Sequence, residues 1–147
     1  MRLEKRILVV DDDDAIRALL MTVLRRRGFR ADSARNGVDA LERLELCRYA
    51  LVVLDLMMPR MNGYEVLDHL GTLAGDMRPF VLVLTAGLQP KKFDTSYVVG
   101  MLQKPFDIEL LLDTVAGCLA AAIERPQVDG CTDPPERDGA ELPEETN

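Results

Sequence analysis

The sequence predicts a doubly wound α/β domain built on a five-stranded parallel sheet. Short, wholly apolar runs recur at Ile7–Val10, Ala50–Leu54 and Phe80–Leu84, and a strand apolar throughout is one buried on both faces. The stretches between them carry apolar residues at helical rather than alternating spacing. Strand and helix signals alternate along the chain, the pattern of a parallel sheet covered by helices on both sides. With 147 residues, 48% hydrophobic and 29% charged, the chain has the size and balance of one folded domain.

The elements follow in order. Ile7–Val10 is the first strand, and Asp11 to Asp14 break it; Asp13 or Asp14 caps a helix whose inward face is Ile16, Leu19, Leu20, Val23 and Leu24. Gly28 closes that helix after three arginines, which suit its negative end. Phe29–Ala34 is a weaker strand. Asn36-Gly37 opens a second helix with Val38, Leu41 and Leu44 inward. Ala50–Leu54 is a buried strand ending at Asp55. Pro59 and Asn62-Gly63 mark a loop, with Asn62 and Glu65 spaced as a capping box for a third helix through Val66, Leu67 and Leu70. Phe80–Leu84 ends at Thr85, and a less regular strand over Val98–Leu102 ends near Lys104-Pro105. Asp107 caps a last helix with Ile108, Leu111, Leu112, Val115, Leu119 and Ala122 on one face.

Charge divides the chain. The net charge is −7, yet residues 126–147 hold seven acidic side chains against Arg137 alone, with four of the eight prolines. That composition predicts a disordered acidic tail and places the folded domain at residues 1–125. The acidic balance argues against direct binding to nucleic acid, and no apolar run is long enough to span a membrane. Cys47, Cys118 and Cys131 are odd in number and widely spaced. They suggest neither a disulfide framework nor a zinc site, and point to the cytoplasm. His69, the only histidine, reads as a surface residue.

In an open α/β sheet, ligands bind beyond the carboxyl ends of the strands. Asp11 and Asp12, Asp55, Thr85 and Lys104 stand at four such ends. Three carboxylates brought together repel unless a cation joins them, and an all-oxygen set without His or Cys suits Mg²⁺. With a lysine and a hydroxyl opposite, the set matches the needs of phosphoryl transfer, with a metal, a carboxylate nucleophile and donors for the phosphoryl oxygens.

Four motifs carry a family resemblance: Ile7-Leu8-Val9-Val10-Asp11-Asp12-Asp13, Leu54-Asp55-Leu56-Met57-Met58-Pro59 through Asn62-Gly63, Leu84-Thr85-Ala86 and Lys104-Pro105-Phe106. Over residues 5–123 the chain resembles the receiver domain of two-component response regulators of the stand-alone, single-domain type. The resemblance implies flavodoxin-like strand order 2-1-3-4-5 and a bacterial signalling switch in which Asp55 accepts a phosphoryl group. The donor would be a sensor histidine kinase or a histidine phosphotransfer protein. It further implies that Asp12, Asp55 and the backbone carbonyl of Met57 ligate Mg²⁺, with Asp11 acting through water. Lys104 would pair with the phosphoryl oxygens, and Thr85 would move inward to bond them. The Lys104–Pro105 bond is usually cis in this family, which would aim the lysine into the site.

Departures from the family pattern shape the rest of the reading. Thr85 and Lys104 stand close together in sequence, and the stretch between them, with Gly87 and Pro90, makes a poor helix, so the fourth helix is expected to be short or irregular. Met101 stands where the family often has a switching aromatic, and Tyr97 is four residues out of register. An altered output face, and a monomer or weak dimer, follow. Met57 and Gly87, two residues after the acceptor and the threonine, offer a hydrolytic water no polar guide, so self-dephosphorylation is expected to be slow. With no DNA-binding or enzymatic segment after residue 125, the expected output is a downstream protein, and no foreign substrate is turned over. Two other readings are a phosphorylation-independent scaffold and a haloacid-dehalogenase-like phosphatase. The latter needs a second aspartate where Met57 stands.

Overall fold

In the computed structural model, which describes residues 6–58, 61–73, 78–86 and 97–122, five parallel strands form one sheet in the order β2-β1-β3-β4-β5. They are β1 (Arg6–Val10), β2 (Arg30–Ala34), β3 (Leu51–Asp55), β4 (Phe80–Thr85) and β5 (Val98–Gln103), and the described helices are α1 (Asp14–Arg26), α2 (Gly37–Leu46), α3 (Gly63–Gly71) and α4 (Ile108–Ala122). The predicted fold class and strand order are therefore present. The segment 87–96, expected to hold the irregular helix, and the acidic stretch 126–147 lie outside the described residues.

Alternation along the central strands divides the core in two. Leu8, Val10, Val52, Leu54, Val81 and Val83 pack with Ala40 of α2 and with Val66, Leu67 and Leu70 of α3. Ile7, Val9, Leu51, Val53, Leu82 and Leu84 pack on the other face with Leu20 and Leu24 of α1 and with Leu111, Leu112, Val115 and Leu119 of α4. This division follows from the strand order. The chain steps one way from β1 to β2 and the other way from β2 onward. Right-handed crossovers then put α1 on one face and α2 and α3 on the opposite one. The reversal falls between β2 and β3, the two neighbours of β1. The carboxyl ends of β1 and β3 are thus left side by side.

Local chemistry sets the element ends. The Asp13 side chain accepts the Ala15 and Ile16 amides at 2.9 and 3.0 Å, so Asp13 rather than Asp14 caps α1. Asn36 caps α2 through the Asp39 amide at 2.8 Å. The capping box of α3 is complete, with Asn62 and Glu65 each bonding the other's amide. Asp107 accepts the Glu109 amide at 2.8 Å at the start of α4.

Two expectations are corrected. Leu19 is 46% exposed and Val38 faces outward as well, so each helix buries a narrower stripe than periodicity alone suggests. Tyr97, out of register for the switching position, holds elements together. It is buried, its hydroxyl donates to the Leu67 carbonyl at 2.6 Å, and the Arg78 guanidinium lies 4.7 Å from its ring centre, so it ties the start of β5 to α3. Finally, Cys47 is held in a disulfide, whereas Cys118 is a free, half-buried thiol. The count and spacing of cysteines do not report which of them meet in space. His69 is half-buried on α3, and its carbonyl accepts the Thr72 hydroxyl.

Candidate functional site

The carboxyl ends of β1, β3, β4 and β5 share one rim, and the predicted residues meet there. Asp11 follows Val10, and its amide continues the sheet by donating to the Ala34 carbonyl at 3.2 Å. Asp55 is the last residue of β3 and pairs in register with Leu84. Thr85 ends β4, and its carbonyl accepts the Lys104 amide at 2.7 Å. The Lys104–Pro105 bond is cis. Carboxylate oxygens of Asp11, Asp12 and Asp55 lie within 4.8 Å of one another. Asp11 and Asp55 are buried and Asp12 is exposed.

Lys104 bridges the buried pair. Its Nζ lies 3.1 Å from Asp11 Oδ2 and 3.3 Å from Asp55 Oδ2. Only the second contact is a hydrogen bond; Asp11 Oδ2 is buried and has no hydrogen-bond partner. Asp11 Oδ1 accepts the Asp13 amide at 2.9 Å, and Asp55 Oδ1 accepts the Met57 amide at 3.1 Å. Burial pushes the Asp55 carboxyl up to about 6, with the Asp11 charge adding to the rise while the Met57 amide and Lys104 oppose it. Burial works against the Lys104 charge as well, but Asp11 and Asp55 outweigh it and leave that pKa above its ordinary value. One ammonium therefore faces three carboxylates, and the surplus negative charge, together with the buried Asp11 oxygen that lacks a hydrogen bond, fits a small hard divalent cation.

The loop after Asp55 is held by two close backbone approaches. The Gly63 amide donates to the Leu56 carbonyl at 3.0 Å, and a Cβ at Gly63 would lie 2.5 Å from the Asp55 carbonyl oxygen. The Gly37 amide donates to the Met61 carbonyl at 3.1 Å, where a Cβ would come within 2.4 Å of that oxygen. Of the methionines in this loop, Met58 is buried and Met61 is half-buried. Met57 is 63% exposed and does not pack. Its amide turns toward Asp55, and its side chain is directed to solvent.

Sequence reasoning missed two contributors. One is Gly37, which reads as a helix start but also grips the loop after Asp55. The other is Arg17, whose Nη1 donates to the Asp11 carbonyl at 2.8 Å. A signal for Arg17 was present: a cation near a helix N-terminus opposes the helix dipole, so it needs a local acceptor.

The profile of the response regulator receiver domain matches residues 7–116. The chain belongs to the response regulator receiver family. Among curated relatives, this receiver is 36% identical over 141 residues to Protein Rrf1 of Nitratidesulfovibrio vulgaris, covering 95% of this chain and 96% of that one. It is 34% identical over 116 residues to Sporulation initiation phosphotransferase F of Bacillus subtilis, covering 77% and 92%. The receiver spans 47% of the length of the MprA response regulator of Mycobacterium ulcerans, which it also matches. Among solved structures, the response regulator TrrA of Thermotoga maritima, in complex with Mg²⁺-BeF, superposes with a TM-score of 0.69 at 33% identity, covering 78% of this chain and 98% of that one. Receivers of this family are phosphorylation-dependent signalling switches. No described helix is long and apolar enough to cross a membrane.

Proposed function

We propose that Asp55 is the phosphoacceptor of this receiver. The observation that carries the reading is a buried carboxylate at the end of β3, ion-paired to Lys104 and grouped with Asp11 and Asp12. An Asp55 oxygen attacks the phosphorus of a phosphohistidine on a sensor histidine kinase or phosphotransfer protein. The new O–P bond forms as the N–P bond breaks, and the imidazole leaves with the electron pair. Asp12, Asp55 and the Met57 carbonyl would hold Mg²⁺, with Asp11 acting through water; when bound, the ion offsets the charge of the phosphoryl oxygens. Lys104 turns its ammonium to the same oxygens, and the Thr85 hydroxyl donates to them. The modified chain then docks on a downstream protein rather than acting on a foreign substrate. The ATP-fed kinase that this scheme requires places the chain in the cytoplasm. Residues 1–125 suffice for the chemistry in this reading, with 126–147 an acidic extension.

The test is intact-mass measurement after incubation with acetyl phosphate, with and without Mg²⁺, beside Asp55→Asn. The expected result is a gain of one phosphoryl group that needs Mg²⁺ and is absent in the variant. Equal phosphorylation of Asp55→Asn would refute the assignment.

A further inference from the structure

We propose that Arg17 is a positioning residue for the acidic site, fixing the peptide that joins Asp11 to Asp12 so that both carboxylates are presented to a divalent cation. The proposal rests on the reading of the site given above. Arg17 lies on the first turns of α1. Its Nη1 donates to the Asp11 carbonyl at 2.8 Å and its Nη2 to Asp14 Oδ1. The Arg17 side chain is 18% exposed, whereas that of Asp14 is 89% exposed. An ion pair with so exposed a partner contributes little, and the helix dipole disfavours a cation here. Neither explains why the guanidinium is drawn inward.

The Asp11 carbonyl does. Asp11 is buried, and its backbone lies beyond the residues of β1 that pair with β2 and β3. A buried carbonyl outside the ladder needs a donor, and Arg17 supplies one bearing a full charge. The peptide plane that carries this carbonyl also carries the Asp12 amide. Holding it therefore sets the direction in which Asp12 leaves the strand, while the Asp13 amide holds the Asp11 carboxylate from the other side at 2.9 Å.

Charge and position make opposite predictions for this residue. A guanidinium bonded to the Asp11 carbonyl adds positive charge next to the acidic site and weakens its attraction for a cation, so a purely electrostatic role means that neutralising Arg17 tightens Mg²⁺ binding. A positioning role means that it weakens binding. Calorimetric titration of Mg²⁺ into the full chain separates the two, with melting of the metal-free proteins measured alongside. The expected outcome for Arg17→Met is Mg²⁺ binding about tenfold weaker, the scale typical of groups that orient metal ligands. Arg17→Lys keeps the charge without the planar fork and falls between Arg17→Met and the parent. Asp14→Asn leaves affinity unchanged. Unchanged or tighter binding in Arg17→Met overturns the proposal, even if that variant melts earlier. Should Arg17→Met not fold, parental affinity in Arg17→Lys overturns it instead. A parent that binds no Mg²⁺, or an Asp12→Asn variant that binds as the parent does, removes the reading of the site as well. Binding lost in Asp12→Asn but intact in Arg17→Met removes only the role of Arg17.

Discussion

Asp55 is the residue on which burial and function pull in opposite directions. Its carboxyl, pushed up to about 6 from an unfolded value of 3.8, holds its proton more tightly in the folded chain than in the unfolded one. The contribution to stability is full below the unfolded value and is lost as pH rises through about 6. Above that pH, the buried charge without metal is a cost. Asp55→Asn should therefore stabilise the metal-free protein at about pH 7.5, by up to about 3 kcal/mol, the opposing pull of Lys104 being already counted in that rise. The gain should shrink toward zero near about pH 4, as read by urea unfolding across pH. At this scale the acidic trio and Lys104 were legible in the sequence because each ends an apolar run. Arg17 was only half legible: its place near a helix N-terminus calls for a local acceptor, but the acceptor is a backbone carbonyl and no residue type records one. The outward turn of the Met57 side chain was equally hidden: it follows from the amide's bond to Asp55.

Among the elements, β5 is tied to α3 by a contact that no sequence signal announced. The Tyr97 hydroxyl meets the Leu67 carbonyl in a buried setting, at the amino end of β5, with Lys104 beyond the other end of that strand. Tyr97→Phe removes the donor and leaves its partner carbonyl with one bond fewer, so a loss of about 1–2 kcal/mol is expected in chemical denaturation. Mg²⁺ affinity should stay at the parental level, since the site is at the far end of the strand. Gly63→Ala is the complementary case. Its Cβ would press on the Asp55 carbonyl and on Leu56 Cα at 2.6 Å, so both stability and Mg²⁺ affinity should fall, by about 2 kcal/mol or more in stability. Element type and order were readable because apolar runs and helical spacing depend on burial, which sequence records directly. The inward assignments of Leu19 and Val38 failed because periodicity gives the direction of a helix face and not its width.

For the whole molecule, the strand order decides where chemistry can occur. The reversal of chain direction leaves β1 and β3 adjacent, and with helices packed on both faces of these central strands their carboxyl ends meet at the rim. Mg²⁺ added in excess should raise the melting temperature of the parent, as expected for a ligand bound to the folded state. The rise should be absent in Asp12→Asn.

The dispersal of the site along the chain has a kinetic consequence. Asp55 and Lys104 are 49 positions apart, and the carboxylates of Asp11 and Asp55 come together only after the chain has crossed from β2 past β1 to dock β3 on the other edge of β1. No local segment of the unfolded chain can assemble the cluster, so the closures it needs come late and carry the entropy of long loops. Mg²⁺ should then act as a brake on unfolding and leave the refolding rate almost untouched, shifting one arm of a chevron and not the other. Measured that way, the cation becomes a clock for the order in which the strands of this sheet come together.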